Sequence, residues 1–367
     1  MLRALLSCVA VTGLAAGLVA LSGGGALAAG AGPSPYRPGT MPARVSAPYF
    51  EAWTGQSPAA PAAASGNKYL TMAFLQTDAP GSCTAYWNGA TNQPISRSSF
   101  GEDISAIQAR GGNVIPSFGG YSADTTGTEL ADSCTSVDAI AKVYESLVTT
   151  YGITRIDLDV EADSINNAAG IDRRNKAIAK AQRWAGHTGR HVQFSYTLPT
   201  TTTGLAPNGL ALLQNAVGNG ARVDVVNIMT FDYWDGAVHD MAADTETAAA
   251  GLHGQLGVLH PKKSPAKLWH MIGVTEMPGI DDFGPEETFT TQDAVKVEKW
   301  AVAKGINTLS FWALQRDNGG CVGTKGSDSC SGIAQDTWHF SHTFAPFTRR
   351  WRGDQRHGPA HHPEVGR

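Results

Sequence analysis

Three acidic residues alternate with aliphatic ones in a short run of the sequence, residues 154–161, which reads TRIDLDVE. Successive side chains of a β-strand point to opposite faces, so Asp157, Asp159 and Glu161 would share one face. Neighbouring carboxyl groups on that face stand about 7 Å apart along the strand. Three carboxyl groups on one buried face are costly unless they share protons or accept hydrogen bonds. The pattern therefore indicates acid–base chemistry.

Two other interpretations of the acidic run have to be weighed. The strand could be half exposed, with its acidic face in water. Alternatively, the carboxylates could hold a metal ion. A metal site would need His or further carboxylates on adjacent strands, and Asp232 is the only candidate for such a ligand. We expect no metal and no cofactor. The half-exposed interpretation depends on the fold, because the inner face of a closed barrel does not face open water.

The elements around the acidic run predict a barrel. Helical runs fall between most of the candidate strands; in 136–151, for example, Ile140, Val143 and Leu147 have helical spacing. About eight strands alternating with helices predict an α/β protein, a single-domain (β/α)8 TIM barrel. An open doubly wound sheet usually carries a Gly-rich phosphate loop after its first strand, and this chain has none. The candidate strands are 48–53, 69–76, 113–118, 155–160, 192–198, 223–231, 268–274 and 308–312.

The two ends of the chain differ from the predicted barrel. Arg3, an apolar stretch from residue 4 to about 21 and small residues at 26–28 predict a signal peptide over 1–28, and hence a secreted, extracellular protein. An uncleaved membrane anchor is the alternative, but the stretch is short and Gly-rich. We predict a Pro/Gly-rich linker over 29–46, the barrel over 47–348 and a disordered tail over 349–367.

Four cysteines remain after the predicted signal peptide: Cys83, Cys134, Cys321 and Cys330. An even number in an exported protein indicates two disulfides, and three pairings are possible. We favour Cys83–Cys134 and Cys321–Cys330. A zinc site is the alternative, but the sequence has no CxxC pair. The formal net charge of −4 gives no support for a nucleic-acid partner.

The acidic run and a Gly-rich segment of the third strand resemble motifs of glycoside hydrolase family 18. That family carries DxxDxDxE on its fourth barrel strand, and this chain matches it at Asp157, Asp159 and Glu161 but has Thr154 in place of the first Asp. The family's SxGG motif matches residues 117–120. In this resemblance Ser117 could donate a hydrogen bond to Asp157, and Gly119 and Gly120 would let the third-strand loop pass close to a substrate.

Two later segments extend the resemblance, which covers residues from about 48 to 347. Met229, Phe231 and Asp232 resemble the family's MxYD motif on the sixth strand, with Phe231 replacing Tyr. Tyr233 could supply the missing hydroxyl, and we expect Asp232 and Tyr233 to contact an N-acetyl group. Trp312 stands where the family places an aromatic floor beneath the sugar at the bond that is cut.

The resemblance implies a chitinase with a substrate-assisted, retaining mechanism. Glu161 would act as general acid and then as general base, while Asp159 would orient the sugar's own acetamide. Asp157 would share a proton with Asp159. An endo-β-N-acetylglucosaminidase acting on glycoprotein glycans, and a non-hydrolytic chitin-binding protein, are the alternatives. The predicted partner is chitin or an N-acetylglucosamine-containing oligosaccharide, bound by a monomer with no membrane attachment after signal cleavage.

The segment from Thr275 to Thr290 bears on how a substrate would enter. Many chitinases of the family carry a small α+β domain there, and this segment is too short to form one. We therefore predict an open cleft and endo-acting cleavage. Four further aromatic residues follow predicted strands and are either outer sugar-binding residues or packing residues: Trp53, Tyr86, Trp87 and Trp234.

Overall fold

The computed structural model describes residues 41–325 and 327–349. The predicted signal peptide, residues 29–40 of the predicted linker and the predicted tail beyond residue 349 lie outside this part of the chain. Within it, ten strands belong to one sheet. They are β1 (Val45–Ser46), β2 (Tyr49–Glu51), β3 (Tyr69–Thr77), β4 (Ala85–Trp87), β5 (Asn113–Gly119), β6 (Arg155–Asp159), β7 (Gln193–Pro199), β8 (Val225–Met229), β9 (Ile272–Glu276) and β10 (Thr308–Phe311).

Each barrel strand is followed by at least one helix. The α-helices in the described residues are α1 (Ala59–Ser65), α2 (Gly101–Ala109), α3 (Tyr121–Thr126), α4 (Leu130–Ser133), α5 (Val137–Tyr151), α6 (Ala168–His187), α7 (Pro207–Gly218), α8 (Met241–Leu259), α9 (Pro265–Trp269), α10 (Thr291–Lys304) and α11 (His339–Arg349). Short 3₁₀ turns occupy Ala52–Thr54, Ser164–Asn166, Pro285–Glu287 and Leu314–Arg316. None of the helices described is long and apolar enough to cross a bilayer.

The first barrel strand closes the ring by changing its partner. β1 pairs in parallel with β10, and β2 pairs in parallel with β3. At the junction, Ala47 donates its N–H to the Leu309 carbonyl, and the Pro48 carbonyl accepts the N–H of Thr71. All other ladders of the ring are parallel, and β4 joins β3 as an antiparallel flap outside it. The prediction of a single-domain (β/α)8 barrel is confirmed.

The helices cover the outer face of the strands because the outward strand residues are apolar. Ile156 and Leu158 of β6 are buried in the main core. Tyr144 of α5 packs edge to face against Phe118 and Phe194 of the flanking strands. Each such side chain contributes about 1.5–3 kcal/mol when it leaves water. The aliphatic half of the acidic run thus fixes β6 in the wall and turns its acidic half inward.

The structure places the bounds of two strands differently from the sequence prediction. The barrel begins at Val45, inside the predicted linker, because Val45 and Ser46 are buried and pair with β10. The seventh barrel strand is Ile272–Glu276 rather than 268–274. Pro265 at the first helical position starts α9, which takes Leu268 and Trp269 into a helix. The segment between β9 and α10 contains a single 3₁₀ turn and no additional domain.

Both predicted disulfides are present. Cys83–Cys134 joins the loop after β3 to the end of α4, and Cys321–Cys330 closes a loop after β10. The first bridge spans 51 residues of sequence and the second spans 9. Chain entropy makes a bridge more stabilising when it closes a longer loop in the unfolded state.

We expect the two bridges to differ in their effect on stability. Replacing Cys83 and Cys134 together by Ala should lower the free energy of unfolding by about 4 kcal/mol, and the matched Cys321/Cys330 double variant by about 2.5 kcal/mol. Urea denaturation of the three proteins under the same conditions measures both losses. An equal or larger loss for the Cys321/Cys330 variant would contradict the chain-entropy explanation.

Candidate active site

The acidic face of β6 points into the barrel, and the register of the sheet decides what surrounds it. Asp157 lies level with Ser117 of β5 and Ser195 of β7. Asp159, one inward position further along, lies between Gly119 and Thr197. Asp157 and Asp159 are buried, whereas the side chain of Glu161 beyond the end of the strand is partly exposed. The three acids therefore form a column that rises from the barrel interior to its C-terminal mouth, where barrel enzymes hold their catalytic groups.

Asp157, the deepest acid of the column, accepts hydrogen bonds from hydroxyl groups on both carboxylate oxygens. Oδ2 accepts from Tyr49 (2.9 Å) and from Ser117 (2.7 Å), as the sequence predicts for Ser117. Oδ1 accepts from Ser195 (2.5 Å) and Thr197 (2.9 Å). Burial raises the pKa of Asp157, and the four hydroxyls oppose that rise by stabilising its charged form.

Asp159 differs from Asp157 in its hydrogen bonding. Its Oδ1 is buried and accepts no hydrogen bond. Burial raises its pKa well above the ordinary value, and the nearby charges of Glu161 and Asp157 raise it further. Among the hydrogen bonds of the described residues, none joins Asp157 directly to Asp159, because hydroxyls occupy both oxygens of Asp157. Hydrogen bonding thus favours the ionised form of Asp157, whereas burial and neighbouring charges favour the protonated form of Asp159. The proton shared between them stays a prediction.

Glu161 also retains a proton near neutral pH. Burial raises its pKa to about 7, opposed by a backbone hydrogen bond from Tyr121. Its backbone N–H donates to Oδ2 of Asp124 at 2.6 Å. Asp124 is a buried residue of α3, and burial followed by the charge of Glu129 raises its pKa to about 9. Nothing in the local sequence around Asp124 indicates a role at the site, so this residue was not predicted.

The two glycines after Phe118 are required by close contacts. A Cβ atom on Gly119 would lie 2.0 Å from the carbonyl oxygen of Asp159, and one on Gly120 would lie 2.4 Å from the ring of Phe74. Both glycines also have positive φ angles, 93° and 84°. These positions bring the third-strand loop against the acid column and an aromatic ring. The close approach of this loop to a substrate stays a prediction.

An aromatic floor lies on the side of the mouth opposite Glu161. Trp312 follows β10, which stands four positions from β6 in the ring of barrel strands. Its ring stacks on Phe74 with centroids 5.6 Å apart, and Phe74 stacks on Trp53 at 6.1 Å. Tyr49, which bonds Asp157, also contacts Trp312 at 5.5 Å. The floor offers a broad apolar face that suits the face of a sugar ring.

The segment after β8 is held by two buried carboxylates. Met229 ends β8 and is partly buried. Asp281 accepts the N–H of Asp232 at 3.2 Å, while Glu287 accepts the N–H groups of Tyr233 and Trp234 at 2.9 and 3.0 Å. Burial, and then the charge of Asp281, raises the pKa of Asp232 to about 9. Asp232 is an exposed residue, and its raised pKa favours the protonated carboxyl group in neutral solution.

Tyr233 lies beneath the exposed end of this segment. Its hydroxyl is buried and has no hydrogen-bond partner. The ring lies 5.1 Å from His239, and the backbone N–H donates to Glu287. The contacts of Asp232 and Tyr233 with an N-acetyl group stay predictions.

The four further aromatic candidates separate by exposure. Trp87 is fully buried and donates its Nε1–H to Tyr151, so it is a packing residue. Tyr86 is partly buried in β4. Trp53 is 45% exposed beside Phe74, and Trp234 is 70% exposed. Trp53 and Trp234 are available to a ligand at the mouth.

Several residues of the site were not predicted, although a pattern indicates some of them. Ser195 and Thr197 alternate with apolar residues along β7, as inward-facing residues of a barrel strand must. Tyr49 and Phe74 carry no such signal, since buried aromatic residues of a strand usually pack in the core. In the residues described, no cluster of three His, Cys, Asp or Glu side chains could hold a metal ion.

Chemically, this arrangement can deliver a proton at the barrel mouth. Four hydroxyls oppose the rise in the pKa of Asp157 deep in the barrel, and burial raises the pKa values of Asp159 and Glu161 above it. Glu161 is the outermost acid of the column and the one that a bound molecule reaches first. A general acid with a pKa near the working pH is the most effective kind.

Comparison with known proteins agrees with the fold and the motifs. Residues 45–266 match the family model described as glycosyl hydrolases family 18. The chain is 32% identical over 325 residues to a probable bifunctional chitinase/lysozyme of Escherichia coli, and 33% identical over 290 residues to Endochitinase 11 of Metarhizium anisopliae. These matches cover 84% and 75% of this chain but only 35% and 53% of the relatives, so the chain spans about a third to a half of their lengths.

A solved structure is similar over nearly its whole length. It is active domain 2 of a thermostable chitinase from Pyrococcus furiosus, crystallised as catalytic-site mutants with chito-oligosaccharides. The TM-score is 0.74 at 30% identity, and the match covers 87% of this chain and 98% of that one.

The raised pKa of Glu161 is directly measurable. We expect the carboxyl carbon of Glu161, followed by NMR of protein labelled with ¹³C in its glutamate carboxyl groups, to titrate with a midpoint of about 7. Burial also raises the pKa values of Glu51 and Glu276 to about 8, so a Glu161→Gln variant is needed to assign the signal. A midpoint below about 5, close to that of an exposed glutamate, would contradict the burial argument.

Proposed function

This chain belongs to glycoside hydrolase family 18, and on that basis we propose that it is a secreted, endo-acting chitinase. It cuts β-1,4 linkages between N-acetylglucosamine units by a substrate-assisted, retaining mechanism. The observation that best supports the proposal is the acid column of β6. It ends in Glu161, a carboxyl group that keeps its proton to about pH 7 and faces an aromatic floor across the mouth.

The choice of chitin as substrate draws on two relatives. The Pyrococcus furiosus domain, which is similar over nearly all of its length, was crystallised with chito-oligosaccharides. The Metarhizium anisopliae relative is named an endochitinase. The chemistry of the site is compatible with such a substrate, because Trp312 and Phe74 form a stacked apolar floor and Asp159 and Asp232 supply carboxyl groups at or just beyond the ends of β6 and β8.

In the first step, the glycosidic bond breaks. The leaving oxygen takes the proton of Glu161 as the bond from C1 to that oxygen breaks. The carbonyl oxygen of the sugar's own acetamide bonds to C1 from the opposite face, which gives a cyclic oxazolinium ion. Oδ1 of Asp159 is free to accept the amide N–H and so to orient the acetamide. The negative charge of Asp157, held by four hydroxyls, lies beneath and favours the positive charge that develops on the sugar.

In the second step, water replaces the acetamide oxygen. Glu161 is now ionised and removes a proton from a water molecule, whose oxygen attacks C1. The bond between C1 and the acetamide oxygen breaks, the acetamide is restored and Glu161 regains its proton. Because two displacements occur in sequence, the product has the β configuration of the substrate. The two catalytic acids, Asp159 and Glu161, lie on one strand face, so neither is placed to attack from the far side of the sugar.

The length of the segment between β9 and α10 supports endo action. It is 14 residues long, 277–290, and carries one 3₁₀ turn, so it forms no additional domain beside the mouth. An open cleft lets a polymer enter at an internal linkage. Export is consistent with the predicted signal peptide and with two disulfides, which persist in oxidising compartments. We propose that the secreted protein acts as a monomer.

Replacement of Glu161 by Gln tests the catalyst and the endo action together. The wild type should rapidly lower the viscosity of a soluble chitin derivative, while Glu161→Gln should lose at least about 10²-fold in kcat. Glu102→Gln, which alters an exposed glutamate of α2, is the matched control and should keep full activity. Release of disaccharide from the start with no fall in viscosity would overturn the endo action. Cleavage of high-mannose glycoprotein without action on chitin oligomers would overturn the substrate.

The acetamide of the sugar on the non-reducing side of the cut should be indispensable. A chitin oligomer deacetylated only at that sugar should be hydrolysed at least about 10³-fold more slowly, because it lacks the intramolecular nucleophile. The fully acetylated oligomer is its control. Early-time NMR of the products should show the β anomer first. Initial α product, or equal rates for the two oligomers, would disprove substrate assistance.

A further inference from the structure

The backbone of Glu161 lies beyond the last regular pairing of β6. The final pairs of this strand are Asp159 with Gly119 on one side and with Thr197 on the other. On the β7 side the ladder continues for one more bond, since Val160 donates its N–H to the Thr197 carbonyl at 3.0 Å. Peptide groups alternate in direction along a strand, so the next N–H, that of Glu161, points towards β5.

On the β5 side the expected backbone acceptor is already occupied. Gly120 donates its N–H to the Asp159 carbonyl at 3.2 Å, which in a parallel ladder makes the Gly120 carbonyl the natural acceptor for Glu161. The chain turns into α3 at this point, and the Gly120 carbonyl accepts the N–H of Asp124 at 3.0 Å instead. The N–H of Glu161 donates to Oδ2 of Asp124 at 2.6 Å. A carboxyl group thus takes the place of a missing strand partner.

We propose that Asp124 is a positioning residue for catalysis, which holds the backbone of Glu161 in place and thereby aims its carboxyl group at the glycosidic oxygen. The inference rests on the proposed function, in which Glu161 is the general acid. Asp124 itself does not touch the reacting atoms. Its effect is on geometry, and a misplacement of about 1 Å at a catalytic group can cost about 10²-fold in rate.

The side chain of Asp124 is buried. Its Oδ1 lies against Gly119, at 3.3 Å from the point where a Cβ atom would stand, and has no hydrogen-bond partner. Behind it, Arg174 forms a buried ion pair with Glu129 at 2.6 Å. The charged and titratable groups that face Asp124 are Glu161, Asp159, Glu129 and Arg174.

Asp124 can hold the backbone of Glu161 in place as a neutral group. Burial raises its pKa to about 9, so the carboxyl group carries a proton at neutral pH while Oδ2 accepts the N–H. An asparagine has the same shape, the same acceptor oxygen and no charge. Asp124→Asn therefore preserves the interaction, while Asp124→Ala removes it.

Steady-state kinetics on chitin oligomers compare these variants. Asp124→Ala should lower kcat/KM by about 10–100-fold with little change in KM, whereas Asp124→Asn should stay within about threefold of wild type. Asp317→Ala is the control for stability. Asp317 is another buried carboxyl group that accepts backbone N–H groups, from Phe340 at 3.1 Å and Ser341 at 2.8 Å, but it does not bond to Glu161. Its loss should lower the Tm without a comparable loss of kcat/KM.

The leaving group supplies a readout that loss of stability does not affect. A sugar leaving group needs the proton of Glu161, but a strongly acidic phenol leaves without it. For Asp124→Ala, the loss in kcat/KM should thus be at least fivefold larger for a chitin oligomer than for a chitobioside of dinitrophenol. Should Asp124→Ala fail to fold, Asp124→Ser is measured in its place, since its hydroxyl is too short to reach Glu161.

The results separate this inference from the proposed function. A wild-type protein that hydrolyses neither substrate would refute the proposed function itself. If the wild type is active, the positioning role is overturned by Asp124→Asn losing as much activity as Asp124→Ala. It is also overturned by equal losses on the two leaving groups, or by Asp124→Ala retaining more than half of wild-type kcat/KM.

Discussion

Three carboxyl groups stand in a column on one strand inside a closed barrel, and the placing of their charge governs the rest of the site. Full ionisation of all three would be prohibitive in a medium of low dielectric. At Asp157 the structure opposes the effect of burial with hydroxyls of Tyr49, Ser117, Ser195 and Thr197. Asp159 has a buried oxygen without a hydrogen-bond partner and a raised pKa, and Glu161 above it keeps its proton to about pH 7.

The same column explains why the neighbouring backbone is so tightly constrained. The loop after β5 must pass directly over Asp159, and only glycine fits at 119 and 120. That close passage brings α3 to the mouth, and with it Asp124, whose carboxyl group meets the backbone of Glu161. It also places Phe74 against Gly120 and in the stack with Trp312. The two glycines, the acid column and the aromatic floor thus depend on the same close packing.

Much of this could be predicted from the sequence, for reasons that differ between elements. The barrel follows from the alternation of strand-like and helical runs, and the acidic face follows from the two-residue period of a strand. Both disulfides were predicted from cysteine number, compartment and spacing. The strand at 268–274 was misplaced because Leu268 and Trp269 are as typical of a strand as of the short helix that Pro265 begins. The contact role of Tyr233 was inferred from a neighbouring motif position, and its hydroxyl is buried.

By itself the sequence determined the fold class and the inward direction of Asp157, Asp159 and Glu161. These follow from local periodicity, which acts over a few residues. The tertiary structure alone decided what surrounds each acid and how its pKa is shifted. That depends on Tyr49, Ser195 and Asp124, which lie far from the acidic run in sequence and reach it only when the barrel closes. A pKa is set by burial and by neighbours in space, and neither is a property of the local sequence.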